Sequence, residues 1–333
     1  MSSYLFDVGE TAKTSPTTKA TSAKILKAQK EKNDEFYTTR ETVEAELDRY
    51  SWRGRRVFCP CDNPEFSEYA KYFIERRGEL GELCCFYQDQ DKQVLTRYAP
   101  TGLIERIELR ENVFSYRGDA CQKLLPELRA GVVYGRGNKR DFELTPTFLE
   151  VLDRSEIVVT NPPFSKFRSL LALLLERDKD FLLLGTNTAP SYDIVFQAWK
   201  EDKLRAGYLF DVSAEFKTPS GEVKGVPVSY YTSLPVDNPY KDWSSGMTVE
   251  ELKRLGRFKM YDNGKALYLL RGSDYPEDYW GLVGVPVTYL NHYDRSKFDY
   301  LYKNHSVGKY VDGREAFARV YLRRKKAFDV LRE

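Results

Sequence analysis

Along this chain, short unbroken apolar runs alternate with stretches whose apolar positions repeat every three to four residues. The first kind predicts buried strands and the second amphipathic helices. Arg56-Val57-Phe58-Cys59 reads as a strand stopped by Pro60. A helix over 65–76 follows, with Phe66, Tyr69, Ala70 and Phe73 turned inward. Strands are predicted at 83–87, 131–134, 157–160, 181–184 and 207–210, and helices at 147–154, 165–176 and 192–200. A further helix over 39–50 carries Val43 and Leu47 on one face. Strands that are apolar throughout are buried on both faces, which implies a parallel sheet between helix layers. The texture changes after Ser213: Pro, Gly, Tyr and Asp become frequent, and short β-like segments stand at 226–233, 266–270, 283–290 and 318–323. The expected organisation is a basic flexible arm over 1–32, an α/β domain over 33–212, and a smaller β-rich region over 213–333. No internal repeat is present.

Composition narrows the class. Hydrophobic residues make up 41% and charged residues 31%, enough for a core with a solvated surface. No apolar run approaches the ~18 residues of a membrane span, and no apolar stretch follows a basic start. The expectation is a cytoplasmic protein. The five cysteines, Cys59, Cys61, Cys84, Cys85 and Cys121, form no disulfide framework or zinc spacing, and the two histidines lie far from them; no metal is expected. Net charge is only +2, so a nucleic-acid footprint is local if it exists. Lys13, Lys19, Lys24, Lys27, Lys30 and Lys32 lie in the arm, and Arg323-Arg324-Lys325-Lys326 near the other end. These groups reach phosphates or are plain solvated surface.

The strongest chemical signal is Ile157-Val158-Val159-Thr160-Asn161-Pro162-Pro163-Phe164. A strand ends in Asn-Pro-Pro-aromatic and runs straight into a helix, and ligands of open α/β sheets bind beyond the carboxyl ends of strands. The Asn161 side-chain carbonyl and the Pro162 backbone carbonyl can each accept a hydrogen bond from an amino group. The prolines fix φ and so hold both acceptors towards one point. Phe164 offers a face for a planar base. Hydrogen bonding of this kind draws an amine's lone pair out of ring conjugation and makes it a nucleophile. The pattern indicates methyl transfer to a conjugated amine, whether adenine, the cytosine amino group or a glutamine side chain.

Three further segments suit a nucleoside cofactor. Cys59-Pro60-Cys61-Asp62-Asn63-Pro64 joins a strand to a helix, the usual cofactor position, although the loop lacks glycine. Asn33-Asp34-Glu35-Phe36-Tyr37-Thr38 packs on a cofactor or caps the helix that follows. Asp141-Phe142, with Gly118-Asp119 as its competitor, can supply a carboxylate for an adenine amino group.

Taken together, these residues resemble the EcoRI-type adenine-specific DNA methyltransferases over about 33–325. The closest match is 155–167, SEIVVTNPPFSKF; the motifs around Tyr37-Thr38, Cys59 to Pro64 and Asp141-Phe142 also match, as do 284–290 and 318–325. The resemblance implies a Rossmann-like class I methyltransferase sheet and S-adenosylmethionine held by Tyr37, Thr38, Cys59, Pro60, Asp62, Asp141 and Phe142. It implies an adenine flipped out of double-stranded DNA onto Asn161, Pro162, Pro163 and Phe164. A recognition region follows the catalytic sheet. The resemblance leans towards a monomer; a cognate restriction endonuclease is compatible with it and not readable from this chain. The stretch 118–140 is longer than the family pattern, and 211–260 is shorter and divergent. RNA adenine or protein glutamine as substrate, or a methyltransferase-like DNA-binding protein without activity, are the competing readings.

Overall fold

A computed structural model describes residues 37–325 apart from 90–91, 111–113, 117–131, 135–141, 218–222, 238–245, 272–273, 293–295, 304–305 and 318. The arm with its lysines therefore lies outside the described residues, as do Lys326, Asp119 and Asp141.

The chain enters on β1 (Tyr37–Thr38) and α1 (Arg40–Leu47), then forms β2 (Arg56–Cys59), α2 (Glu68–Glu75), β3 (Glu82–Asp89), β4 (Lys92–Ala99) and β5 (Gly102–Leu109). Three short strands follow, β6 (Phe114–Tyr116), β7 (Val132–Tyr134) and β8 (Phe142–Leu144). Next come α3 (Pro146–Arg154), β9 (Ile157–Thr160), α4 (Phe167–Glu176), β10 (Asp180–Thr186) and α5 (Asp193–Lys200). Then come β11 (Arg205–Ala206), β12 (Val212–Lys217) and β13 (Val223–Thr232).

The large sheet runs β1-β12-β13-β10-β9-β2-β3-β4-β5, with β11 also on β13. Its centre, β10-β9-β2-β3, is parallel, and the flanking pairs are antiparallel. The apolar strands divide their side chains between two buried faces. Phe58, Val158, Phe181 and Leu183 meet α3, α4 and α5, including Phe148, Leu170 and Trp199. Val57, Cys59, Ile157, Val159, Leu182 and Leu184 meet α1 and α2 through Val43, Leu47, Tyr69 and Phe73. The expected α/β sheet covered on both sides is therefore present.

Local chemistry sets the helix starts. Ser67 caps α2 by accepting from the Tyr69 and Ala70 N–H groups, so Phe66 falls outside the helix and is 53% exposed. Tyr72, not Phe66, completes the buried face. Thr145 caps α3 ahead of Pro146, a residue suited to a first helical turn.

Several expectations need correction. The large sheet does not stop at residue 212: β12 and β13 are integral to it. The segment 207–210 is not a strand, because Glu46 on α1 claims its backbone. The buried carboxylate accepts from the N–H groups of Tyr208 (3.0 Å) and Leu209 (2.6 Å) and from the Tyr50 hydroxyl (2.8 Å). β7 pairs with β6 in a separate three-stranded sheet that also holds β8, so it is not a rung of the main sheet. The hairpin β4-β5 was not anticipated from the sequence.

The remaining strands are β14 (Lys259–Met260), β15 (Leu267–Tyr268), β16 (Val283–Pro286), β17 (Phe298–Lys303), β18 (Tyr310–Val311), β19 (Arg314–Glu315) and β20 (Arg319–Arg324), preceded by α6 (Val249–Arg254). Five of them form a second sheet, β14-β15-β16-β20-β17. The expected strand over 283–290 ends at Pro286, and 287–292 is a 3-10 helix. This sheet packs on α5, where the Phe196 and Tyr300 rings lie 4.6 Å apart and Lys303 pairs with Asp193.

One glycine ties the main sheet to α4. A Cβ on Gly185 would stand 2.7 Å from Cε2 of Phe167 and 3.1 Å from Cε2 of Tyr231. Gly185→Ala is expected to cost about 1–3 kcal/mol of stability through overpacking. Denaturant unfolding measures this; a midpoint equal to the parent's would mean that the Phe167 ring turns aside freely.

Candidate active site

The chain steps from β2 to β3 on one side and returns to β9 on the other, so β2 is the strand at which direction reverses. Ligands of such sheets bind in the crevice at that point. A cavity of about 330 Å³ lies there, bounded by Pro60–Asn63 after β2, Phe86–Asp89 at the end of β3, and Asn161–Phe164 after β9. Thr38, the start of α2, Gln93 and Lys166 complete the wall.

The loop after β2 turns without glycine because Asn63 closes it. Its backbone carbonyl accepts from Phe66 N–H (3.1 Å) and Ser67 N–H (2.8 Å), and its side-chain oxygen from Glu65 N–H (2.9 Å). Asp62 is 3% exposed and holds the loop to both neighbours. Its Oδ1 accepts from Ser67 Oγ at 2.6 Å and its Oδ2 from Thr160 Oγ1 at 2.5 Å. Burial pushes this carboxyl up to about 6, against the two hydroxyl hydrogen bonds, which favour the charged form. Burial, reinforced by Asp62, likewise pushes the Cys61 thiol up to about 12, with Lys166 acting in the opposite sense.

On the β9 side, Asn161 is half-buried and its Nδ2 donates to Thr38 Oγ1 at 3.2 Å. Pro162 is buried, and Phe164, 7% exposed, lines the cavity from the α1–α2 face.

Seven of the residues singled out from the sequence thus meet around one cavity: Thr38, Pro60, Asp62, Asn161, Pro162, Pro163 and Phe164. Cys59 does not. Its side chain points into the core and hydrogen-bonds the free thiol of Cys85, and burial pushes the Cys59 thiol well above its usual range. The Cys59 position in the strand alternation sends it inward, one residue before the loop. Phe142 belongs to β8 in the separate sheet, Tyr37 pairs with Lys217 through its backbone, and Asp141 lies outside the described residues. The wall also contains Tyr87, Gln88, Asp89, Gln93, Glu68 and Lys166, which the sequence reading missed. The strand-end rule could have found the Gln88-Asp89 pair, since β3 is parallel to β2 and ends beside it.

Of the basic residues near the far end, Arg324 donates to the Glu277 and Pro276 carbonyls and lies over the Tyr275 and Trp280 rings. Arg323 pairs with Asp299 at 3.3 Å. Both are thus engaged within the fold. Among the described residues no helix is long and apolar enough to cross a membrane.

A family model described as adenine-specific methyltransferase EcoRI matches residues 24–328. The chain belongs to the EcoRI-type adenine-specific DNA methyltransferases. This methyltransferase is 28% identical to the Type II methyltransferase M.EcoRI of Escherichia coli, over 92% of its own length and 98% of the relative's. It is 30% identical to the Type II methyltransferase M.MgeORF184P of Mycoplasma genitalium, over 82% and 84% of the two chains. It is 27% identical to M.MpnI of Mycoplasma pneumoniae, over 90% and 98%. No solved structure matches the methyltransferase.

Proposed function

We propose that this methyltransferase moves a methyl group from S-adenosylmethionine to the N6 amino group of an adenine turned out of duplex DNA, and does so at the cavity bounded by Asn161 to Phe164. The observation that carries the reading is the convergence of this segment with Thr38, Asp62 and the end of β3 on one cavity. That volume lies within the range of small-molecule pockets, roughly 300–1,000 Å³. Asp62, Glu68 and Asp89 suit a ligand with positive charge and hydroxyl donors. When bound, S-adenosylmethionine supplies a methyl group on a positively charged sulfur. Thr38, Pro60, Asp62 and Asp89 would hold it.

The chain's own part is to hold and activate the amine. Asn161 Oδ1 and the Pro162 backbone carbonyl each accept a hydrogen bond from its N–H groups, which draws the nitrogen lone pair away from the ring and towards the methyl. The prolines keep both acceptors from relaxing. Phe164 stacks on the base that has left the helix. The region after β13 and the basic arm are the candidates for holding DNA, with phosphates supplying affinity and base contacts supplying sequence choice. A monomer in the cytoplasm is the simplest state consistent with this. The family's adenine specificity supports neither a glutamine substrate nor an inactive DNA-binding role.

Incubation with methyl-labelled cofactor and duplex DNA, RNA or bulk protein tests the reading. Label is expected in duplex DNA, as N6-methyladenine. Label in RNA or protein, or in none of them, overturns it.

A further inference from the structure

The pairing of β2 with β9 runs only as far as Phe58 and Val158. Beyond that pair the two strands part around the cavity. β2 passes through Cys59 into the loop of Pro60 to Asn63, and β9 passes through Val159 and Thr160 into Asn161. In the proposed reaction the first loop holds the methyl donor and the second holds the amine. The distance that the methyl must cross is therefore set by how these two loops are tied to each other.

Asp62 spans the gap. Its Oδ2 accepts from Thr160 Oγ1 at 2.5 Å and its Oδ1 from Ser67 Oγ at 2.6 Å. These are the lengths of hydroxyl bonds to an ionised carboxylate, which has no proton to give, so both hydroxyls donate. Ser67 Oγ also accepts from the N–H groups of Tyr69 (3.2 Å) and Ala70 (3.3 Å) at the start of α2, which leaves its proton for Asp62. Thr160 is fixed from its other side, where its backbone pairs with Leu183 of β10. Thr160, Asp62 and Ser67 are all buried.

We propose that Asp62 is a strut whose bonds to Thr160 and Ser67 set the separation between the methyl donor and the amine held at Asn161. This rests on the reading of the cavity as the place of methyl transfer. A crevice that admits a ligand requires neighbouring strands to part, and parted strands lose the backbone bonds that hold their ends in register. The Asp62 carboxylate replaces that tie with a side chain, one residue before Asn161. Methyl transfer is sensitive to such a tie, because reacting atoms must approach to about 3–3.5 Å in line. Without the Thr160 hydroxyl, the paired parts of β2 and β9 stay as they are, and the loop that carries Asp62 is free to shift against Asn161. Thr160 is a positioning residue: it is not part of the cavity wall and acts only through Asp62.

The test uses the full chain with Thr160→Val, Thr160→Ala and Thr160→Ser. Single-turnover methyl transfer to duplex DNA is expected to slow about 10- to 100-fold in Thr160→Val, the upper end being what a misplacement of about 1 Å can cost. Binding of S-adenosylhomocysteine by calorimetry, and of the duplex by fluorescence anisotropy, should stay within a few-fold of the parent. Thr160→Ser keeps the hydroxyl and should recover the rate, although it loses a buried methyl. Thr160→Ala loses the same methyl and the hydroxyl, and should stay slow. Rates that follow the hydroxyl and not the unfolding midpoint separate positioning from a general loosening of the fold. If Thr160→Val does not fold, the comparison of Thr160→Ala with Thr160→Ser decides. Parental rates in the variants without the hydroxyl, an equal loss in Thr160→Ser, or a loss that appears only as weaker binding overturns the strut. Asn161→Ala measured alongside separates the two ideas. Activity that survives there overturns the reading of the site, whereas an inactive Asn161→Ala beside a fully active Thr160→Val overturns only the strut.

Discussion

Asn161→Ala is expected to lose about 10²- to 10³-fold in kcat, the equivalent of about 3–4 kcal/mol for one positioned acceptor in a water-poor site. The loss should appear in the chemical step. Asn161 donates to Thr38 from the wall of the cavity, and its neighbours Pro162 and Phe164 are held by their own burial. Truncating it should therefore leave the cavity standing. S-adenosylmethionine affinity by calorimetry is expected to change by less than about tenfold, since ground-state binding and turnover separate when an interaction is made mainly in the transition state. Single-turnover transfer to a duplex substrate is the decisive measurement. Turnover within a few-fold of the parent would sink the assignment of this loop as the reacting site.

The second large effect is a pH dependence of stability located at Asp62. Its carboxyl rises from an ordinary 3.8 to about 6 in the folded protein because burial disfavours the charge. A group raised on folding favours the native state fully below its unfolded value, and that contribution is lost as pH climbs through the folded value. The window is therefore about pH 4 to 6, and the shift corresponds to roughly 3 kcal/mol of stability lost on going from acid to neutral pH. Glu46, pushed up to about 7 by burial despite three hydrogen bonds, adds a slope of the same sign at slightly higher pH. Asp62→Asn removes the titration while keeping an oxygen for the Ser67 hydroxyl and turning an NH2 to Thr160, whose hydroxyl can reverse direction. Unfolding midpoints from pH 4.5 to 8 should fall more steeply for the parent than for Asp62→Asn. Parallel curves would show that the Asp62 charge costs the fold nothing.

The candidate site was legible in the sequence where chemistry is written locally. Asn161-Pro162-Pro163-Phe164 needs only a strand before it and a helix after it, and both signals are strong in the chain itself. Asp62 was likewise visible as a polar residue in the loop after the first apolar strand. The Cys59 side chain lies in the core and not on the cavity wall, because a one-residue step along a strand exchanges the two faces. Local pattern could not say whether the last strand residue faces the cavity or the core. The Gln88-Asp89 wall went unseen because its role depends on which strand lies beside β2.

The sequence by itself determined the apolar strands, the proline-stiffened loop and the family, because each depends on neighbours a few residues away. Tertiary structure alone decided the rest. It placed β12 and β13 in the main sheet, beyond the expected boundary at residue 212, because strand pairing is a long-range choice. It set β7 and β8 apart in their own sheet. It turned 207–210 away from a strand, because a buried carboxylate 162 and 163 positions earlier in the chain claims the backbone N–H groups of Tyr208 and Leu209. It also brought Thr38, Tyr69 and Tyr230 into line behind Asn161. Each of these three residues, read along the chain, is an ordinary strand or helix position. Only burial in a common interior, where a hydroxyl must find a partner, brings them together.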